Sequence, residues 1–407
     1  MYPHLDRLAQ QGTYFRQFYA SSPVCSPSRC GIMTGQYPFR HGVHGHFADY
    51  DMNSNRQMPN WLDENVFTVC RMMKNAGYRV GHYGKWHLGG GGGEHGHPDA
   101  PKPAVYGNDE SRVWNGNGPT WLGLRKWPFA LYNDIDETLM LHCDELATNE
   151  AIDFINANKD ESFYVNLWLR APHTPLVATD EQKKVYDNDK VLEPHLTYFS
   201  VLTEADKQIG RVMDELERLL LRENTLIIFT SDNGPERQHG DEGTYHCVGS
   251  TAGLRGTKGS LYEGGVRVPL IVSLPGRVPA GRVDFDALMS NVDFMPTLAS
   301  VCGCEIPEEH CCDGEDVSDA WYGNIYNRQK PIIWEFHFGH GYTIFPKYAV
   351  RKGNYVLLQV NNGEMEMYDT SRDWSQVDNV AAREKENFEE LYKILKTIPK
   401  QSTFQER

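Results

Sequence analysis

The sequence predicts an α/β protein, with a mostly parallel central sheet flanked by helices and a small C-terminal α+β subdomain. Three observations carry this. Apolar runs at 163–169, 226–229 and 270–274 are nearly continuous, as strands buried on both faces require. Amphipathic helical patterns stand between the strands, the order that builds a parallel sheet. Polar clusters follow the strands at their carboxyl ends, where open α/β sheets bind ligands.

Taken in order, residues 3–12 read as a short helix with Leu5 and Leu8 on its apolar side and Gly12 as its stop. Residues 64–76 repeat the pattern with Val66, Val69, Cys70 and Met73, and Gly77 is the expected residue after the helix end. A strand at 78–83 runs into Gly84-Lys85-Trp86-His87-Leu88-Gly89. A run of glycines and a polar, Pro-rich stretch to about residue 128 read as a long surface insertion, the kind of loop that shapes a binding site. Helices are expected at 136–158, 198–222 and 292–301. After residue 330 the character changes to short strands at 332–334, 348–350 and 355–358, closed by a charged helix at 383–397. The expected division is therefore a body at 1–330 and a subdomain at 331–407.

The chain has 407 residues, enough for one large core with an appendage. Its formal net charge of −15 argues against nucleic acid or an anionic membrane as a partner. No apolar run approaches the roughly 20 residues that span a bilayer. Met1-Tyr2-Pro3-His4-Leu5-Asp6 has neither the basic nor the apolar region of a signal peptide. No Asn-x-Ser/Thr sequon occurs, which disfavours a eukaryotic secretory enzyme. Among nine cysteines, Cys302/Cys304 and Cys311/Cys312 crowd one loop region and read either as disulfide partners or as free thiols. The spacing of a zinc ribbon is missing.

The most informative stretch is Cys25-Ser26-Pro27-Ser28-Arg29, continuing as Cys30-Gly31-Ile32-Met33-Thr34-Gly35. Pro27 favours a rigid turn into a short helix. On a helix, Cys25 and Arg29 share a face one turn apart, and a cation beside a thiol favours the thiolate and holds an anion. On the residues alone, a buried cysteine near a surface arginine fits equally well. The longer string resembles the signature of the sulfatase family. That resemblance implies an alkaline-phosphatase-like fold and conversion of Cys25 to formylglycine by a formylglycine-generating enzyme.

Further segments extend the resemblance along the chain. Ser231-Asp232-Asn233-Gly234-Pro235-Glu236 is similar to the family segment that supplies two metal ligands, although Asp-Asn-Gly is also a common turn. Oxygen donors of this kind suit a hard cation, and the resemblance implies one Ca²⁺ in preference to Mg²⁺, held by Asp232, Asn233 and the modified Cys25. Gly84-Lys85-Trp86-His87-Leu88-Gly89 is similar to the second family signature, in which the lysine contacts sulfate and the histidine orients the formylglycine hydroxyl. His173, in Ala171-Pro172-His173-Thr174-Pro175, matches the histidine that faces the leaving oxygen, and Lys258, in Gly256-Thr257-Lys258-Gly259, matches a second sulfate-binding lysine. Glu366-Met367-Tyr368-Asp369 is similar to a C-terminal family strand, more loosely because Trp374 stands where proline is usual.

The implied reaction is hydrolysis of a sulfate ester of a carbohydrate or an aryl alcohol. A hydrated aldehyde at position 25 offers one hydroxyl to attack sulfur and a second whose deprotonation by His87 would expel sulfate; a serine there could not do the latter. Arg29, Lys85 and Lys258 would neutralise the sulfonyl oxygens, and His173, with Lys258 beside it, would protonate the leaving alcohol. The resemblance also implies a periplasmic or secreted location.

One departure stands out. Family members begin with an apolar strand ending in an Asp-Asp pair that binds the metal, and the present chain matches only from Tyr2-Pro3-His4-Leu5 onward. Two metal ligands and a core strand are thus expected to be missing, with exposed sheet edges as the consequence. An incomplete gene model of an active enzyme and a degenerate sulfate-ester-binding relative both fit. A phosphate or phosphonate monoester hydrolase of the same superfamily is the other enzyme reading. Substrate recognition is expected from residues 89–128 and from His337-Phe338-Gly339-His340, a pair of histidines that also reads as a solvated turn.

Overall fold

The computed structural model describes residues 2–89, 99–114, 137–174, 176–186, 191–236, 248–338 and 343–399. Its strands, in chain order, are β1 (Thr13–Tyr19), β2 (Arg79–Lys85), β3 (Glu110–Trp114), β4 (Phe163–Trp168), β5 (Ile227–Thr230), β6 (Arg267–Ser273), β7 (Arg282–Asp284), β8 (Met289–Ser290), β9 (Ile332–Glu335), β10 (Pro346–Lys352), β11 (Tyr355–Val360) and β12 (Met365–Asp369).

The α/β class is the one expected, and the described strands of the body lie in two sheets. One has the order β5-β6-β1-β7, with β8 also on β1; the other is β3-β2-β4. Pairs β1–β7, β1–β8, β2–β3 and β2–β4 are parallel, while β1–β6 and β5–β6 are antiparallel, so parallel pairing predominates. β1, β2, β4 and β5 send their carboxyl ends toward one edge, which also receives the amino end of β6. β4 and β5 are sheet edges among the described residues, and their apolar side chains are largely half-buried.

β1 was not evident from sequence. Arg16 and Gln17 interrupt its apolar character, yet Phe15, Phe18 and Tyr19 are fully buried and the strand lies at the centre of its sheet. The 89–128 stretch is also not uniformly surface: Tyr106 is buried in the main core and β3 pairs with β2. Residues 90–98 and 115–128 of that expected insertion lie outside the described residues.

Helix ends shift where capping chemistry overrides periodicity. The helix expected at 64–76 spans Val69–Asn75, because Thr68 Oγ1 accepts the Arg71 N–H at 3.1 Å and caps it. The next long helices span Glu137–Ala157 and Glu193–Arg218. Strands β9 to β12 form an antiparallel sheet wholly after residue 330. Helix Lys385–Leu395 buries Leu391 and Leu395 against Val350, Leu357 and Met367 on one face of it. The other face packs on Tyr19 and Val24 of the body, and the Trp334 indole N–H donates to the Ala20 carbonyl at 2.7 Å. Arg351 is buried at this junction and reaches the hydroxyl of Tyr19. The described cysteines, including Cys302, Cys304, Cys311 and Cys312, are free thiols. No described helix is long and apolar enough to cross a membrane.

Candidate active site

Helix Cys25–Thr34 follows β1 and starts at Cys25, with Val24 extended as its N-cap and Gly35 in the left-handed region as its C-cap. Pro27 lies in the first turn, where its missing N–H costs nothing. The helix is buried along its length except at Ile32. Asn291 clamps it: its amide donates to the Ser28 carbonyl at 3.2 Å and to Ser28 Oγ at 2.9 Å, and its oxygen accepts the Ser21 N–H at 3.0 Å.

Cys25 Sγ lies 3.1 Å from His87 Nδ1. His87 Nε2 faces the Phe47 carbonyl at 3.2 Å. A carbonyl only accepts, so Nε2 carries the proton and Nδ1 turns its lone pair to position 25. Phe47 is itself held by donating its N–H to Ser26 Oγ at 3.1 Å. His87 sits just past the end of β2 at φ 53°, an uncommon backbone state for a residue with a side chain and one that clusters at functional sites.

Arg29 stands one turn further along the helix. Its Nε and Nη2 donate to Asp232 Oδ2 at 2.8 and 2.7 Å, and its Nη1 donates to the Lys85 carbonyl at 2.9 Å. The guanidinium carbon lies 4.7 Å from the centre of the Trp168 ring at the end of β4, a cation–π contact. One side chain therefore ties the ends of β2, β4 and β5.

Lys258 arrives through backbone lashings. Its N–H donates to the Pro235 carbonyl at 2.7 Å, Gly259 N–H to the Pro23 carbonyl at 3.0 Å, and Gly234 N–H to the Gly265 carbonyl at 2.9 Å. The approach is so close that a Cβ on Gly234 would stand 1.9 Å from the Gly264 oxygen, which explains the glycines of both segments. Lys258 Nζ then lies 2.6 Å from Glu236 Oε2 and 3.0 Å from His173 Nε2. His173 Nδ1 faces the Thr174 carbonyl at 2.7 Å, so Nδ1 carries the proton and Nε2 accepts from the ammonium. The His173 loop is fixed by Asp144, which accepts the backbone N–H groups of Arg170 and Ala171 at 2.6 and 3.0 Å, while Arg170 Nη1 donates to the His173 carbonyl at 2.8 Å.

The electrostatics follow from this crowding. Burial lowers Lys85 to about 8, partly offset by the Cys25 sulfur. Burial, followed by Lys85 and Arg29, holds His87 well below the usual imidazole range. Burial, followed by Lys85 and Lys258, does the same to His173. Enclosure works to raise Asp232, but Arg29, Lys85 and Lys258 outweigh it and its carboxyl stays below the usual value. Enclosure likewise works to lower Lys258, and Cys25 and Glu236 outweigh it, so its ammonium is favoured. The site is a cationic pocket in an acidic protein, suited to an anion.

All eight residues singled out from sequence meet at this edge: Cys25, Arg29, Lys85, His87, His173, Asp232, Asn233 and Lys258. Asn233 Nδ2 donates to the Gly234 carbonyl at 2.8 Å, which leaves its Oδ1 buried without a partner among the described residues. An orphaned amide oxygen beside a carboxylate fits two positions in the oxygen shell of a hard cation, which takes about six to eight such donors. Sequence reasoning missed Glu236, Asp144, Arg170 and Trp168 as neighbours. Glu236 lies in a turn motif, and nothing local says that Lys258 docks on it from 22 residues away.

The family model described as Sulfatase matches residues 1–304, and that described as N-sulphoglucosamine sulphohydrolase, C-terminal, matches 257–403. The chain is 28% identical to an N-acetylgalactosamine-6-O-sulfatase of Bacteroides thetaiotaomicron over 474 aligned positions, covering 97% of this chain and 88% of that protein. It is also 28% identical to the N-acetylgalactosamine-6-sulfatase of Canis lupus familiaris, covering 82% of this chain and 63% of the relative. Among solved structures, the crystal structure of Ps i-CgsB in complex with k-i-k-neocarrahexaose superposes with a TM-score of 0.79 at 26% identity, covering 97% of this chain and 86% of the other. A family model that spans most of the chain, and includes every motif gathered at this strand edge, establishes that the chain belongs to the sulfatase family and is a sulfuric ester hydrolase.

Proposed function

We propose that this protein releases sulfate from a sulfated carbohydrate, with Cys25 as the site of formylglycine and Arg29, Lys85, His87, His173, Asp232, Asn233 and Lys258 as its working partners. The observation that carries the reading is the pairing of Cys25 Sγ with the His87 Nδ1 lone pair inside a ring of Arg29, Lys85 and Lys258. A base, a position for the nucleophile and three cations converge where an anionic ester would sit. The carbohydrate is favoured over an aryl alcohol by the likeness to the N-acetylgalactosamine sulfatases.

Formylglycine, made by a separate maturation enzyme, would supply a carbon that carries two oxygens, and Asp232, Asn233 and position 25 would hold a Ca²⁺ that would supply Lewis-acid charge. The chain's own residues do the rest. Lys85 and Lys258 bind and neutralise the sulfonyl oxygens, while Arg29 orients Asp232 and adds its charge to the same region. His87 accepts a proton at Nδ1 and holds its orientation through Phe47. Lys258 and His173 share the proton destined for the leaving alcohol. Because His173 Nε2 is an acceptor at rest, Lys258 is the resident donor and His173 the relay. The body at 1–330 carries this chemistry, and the subdomain at 331–407 packs on it beside Tyr19 and Val24. A periplasmic or extracellular location is part of the proposal and rests on family resemblance, since the described cysteines form no disulfides.

The test is co-expression of the full chain with a formylglycine-generating system, followed by measurement of sulfate release from 6-O-sulfated N-acetylgalactosamine and an aryl sulfate, and of phosphate release from an aryl phosphate, in competition. Preferred turnover of the sulfated sugar supports the reading. Preferred turnover of the phosphate ester transfers the site to phosphoryl chemistry.

A further inference from the structure

We propose that His44, Glu335 and His337 form a transition-metal site of the Zn²⁺ class, distinct from the Cys25 centre. His44 belongs to the 42–49 segment, and Glu335 and His337 lie at and just beyond the end of β9. His44 Nδ1 is 3.8 Å from Glu335 Oε1, and His337 Nε2 hydrogen-bonds to the same oxygen. One ligand atom from each residue lies within 4.8 Å of the other two, and no other group of three His, Cys, Asp or Glu side chains does so among the described residues. A tetrahedral ion with bonds of about 2.1 Å holds its ligand atoms roughly 3.4 Å apart, so small side-chain shifts seat it.

The donor set selects the metal. Two imidazoles and one carboxylate suit Zn²⁺ and its neighbours and leave a fourth position for water, whereas Ca²⁺ and Mg²⁺ prefer oxygen alone. The oxygens of Asp232 and Asn233 present the opposite preference, so the two places separate hard from borderline cations. The site is also built rather than incidental. The side chains of His44 and Glu335 are 2% and 1% exposed, and that of His337 is 8% exposed, which corrects its reading as a solvated turn. His340, the other half of that pair, lies outside the described residues. Tyr348, opposite Glu335 in the β9–β10 ladder, stands edge-on to the His337 ring at 5.5 Å, and the His44 and His337 rings are 5.9 Å apart. A buried carboxylate needs its charge matched, and a dication between these rings would do so directly.

The placement has a consequence for the main site. His44 lies three residues before Phe47, whose carbonyl orients His87. A metal here would tie the C-terminal sheet to the segment that sets the imidazole beside Cys25.

The experiment uses the full chain stripped with a chelator and titrated with Co²⁺ as a visible probe, then with Zn²⁺ in competition. The expected result is one equivalent of Co²⁺ with intense d–d absorption, displaced by Zn²⁺, and a higher unfolding temperature in the presence of Zn²⁺. His337→Gln and His44→Gln should each weaken Zn²⁺ at least ~10-fold and abolish that thermal shift, since loss of a ligand costs no less than loss of a supporting group. Asp232→Asn should keep the absorption band, which separates this site from the Cys25 centre. Metal-free unfolding curves of the two histidine variants show whether each folds. The proposal is overturned if folded protein binds no Co²⁺ or Zn²⁺ in stoichiometric amount. It is also overturned if the band survives both histidine changes or is lost in Asp232→Asn; the cluster is then only a hydrogen-bonded clip.

Discussion

Lys258 Nζ and His173 Nε2 lie 3.0 Å apart, and Glu236 holds the ammonium from its other side at 2.6 Å. This arrangement makes the lysine and histidine one proton-carrying unit at the leaving-group side of the pocket. Lys258→Ala and His173→Ala are each expected to lower kcat by about 10²–10⁴-fold, the range of general acid catalysis. The double variant should lose little more than either single one, because the two groups act together. Steady-state kinetics on the three variants checks this.

Glu236→Gln removes a charge that favours the Lys258 ammonium. The lysine pKa then falls, so the protonated donor is lost at a lower pH. The alkaline limb of the kcat/KM profile should move to lower pH while activity near neutrality drops only a few-fold. A profile that keeps its alkaline limb in place removes Lys258 from the proton path.

Arg29→Lys keeps the charge but cannot reproduce three directed contacts to Asp232 and the Lys85 carbonyl. Arg29→Ala goes further and leaves a carboxylate without its partner. A loss of about 3–5 kcal/mol is expected for the alanine variant, less for lysine, in denaturant unfolding. Both should fall far below wild type in kcat/KM.

The motif residues were legible because each is carried by a short contiguous pattern, and the fold only had to bring the patterns together. What supports them was not legible. Glu236, Asp144 and Trp168 act through pairings across long stretches of chain, and no local spacing encodes those. β1 was hidden because Arg16 and Gln17 break its apolar run, although burial of Phe15, Phe18 and Tyr19 makes it central. Strands β4, β5 and β6 were readable because their apolar runs at 163–169, 226–229 and 270–274 are nearly continuous. His337 was misread as surface because its partner, His44, is far away in sequence and comes from the other side of the junction.

Gly234 tests the backbone lashing. A methyl group at this position would overlap the Gly264 oxygen at 1.9 Å. Gly234→Ala is expected to cost about 1–3 kcal/mol or more, and to displace Asp232, Asn233 and Lys258 together. Unfolding by denaturant and the KM for the sulfate ester report the two effects separately.

His82 predicts the acid side of stability. It is fully buried between the Trp86 and Trp168 rings, and burial lowers its pKa to about 3. The unfolded chain binds this proton near pH 6.5 and the folded one does not, so stability is present above that pH and falls as pH drops below it. About 2 kcal/mol should be lost between pH 7 and pH 5 from this residue, at roughly 1.4 kcal/mol per unit. His82→Asn should flatten that slope in unfolding measurements across pH.

The most direct measurement of the central claim is sulfate release by the full chain after mass analysis has established an aldehyde at position 25. The account predicts turnover of a sulfate ester that disappears in Cys25→Ala and is crippled in Lys258→Ala. Aldehyde-bearing, folded protein that binds a sulfate ester and releases no sulfate would contradict it.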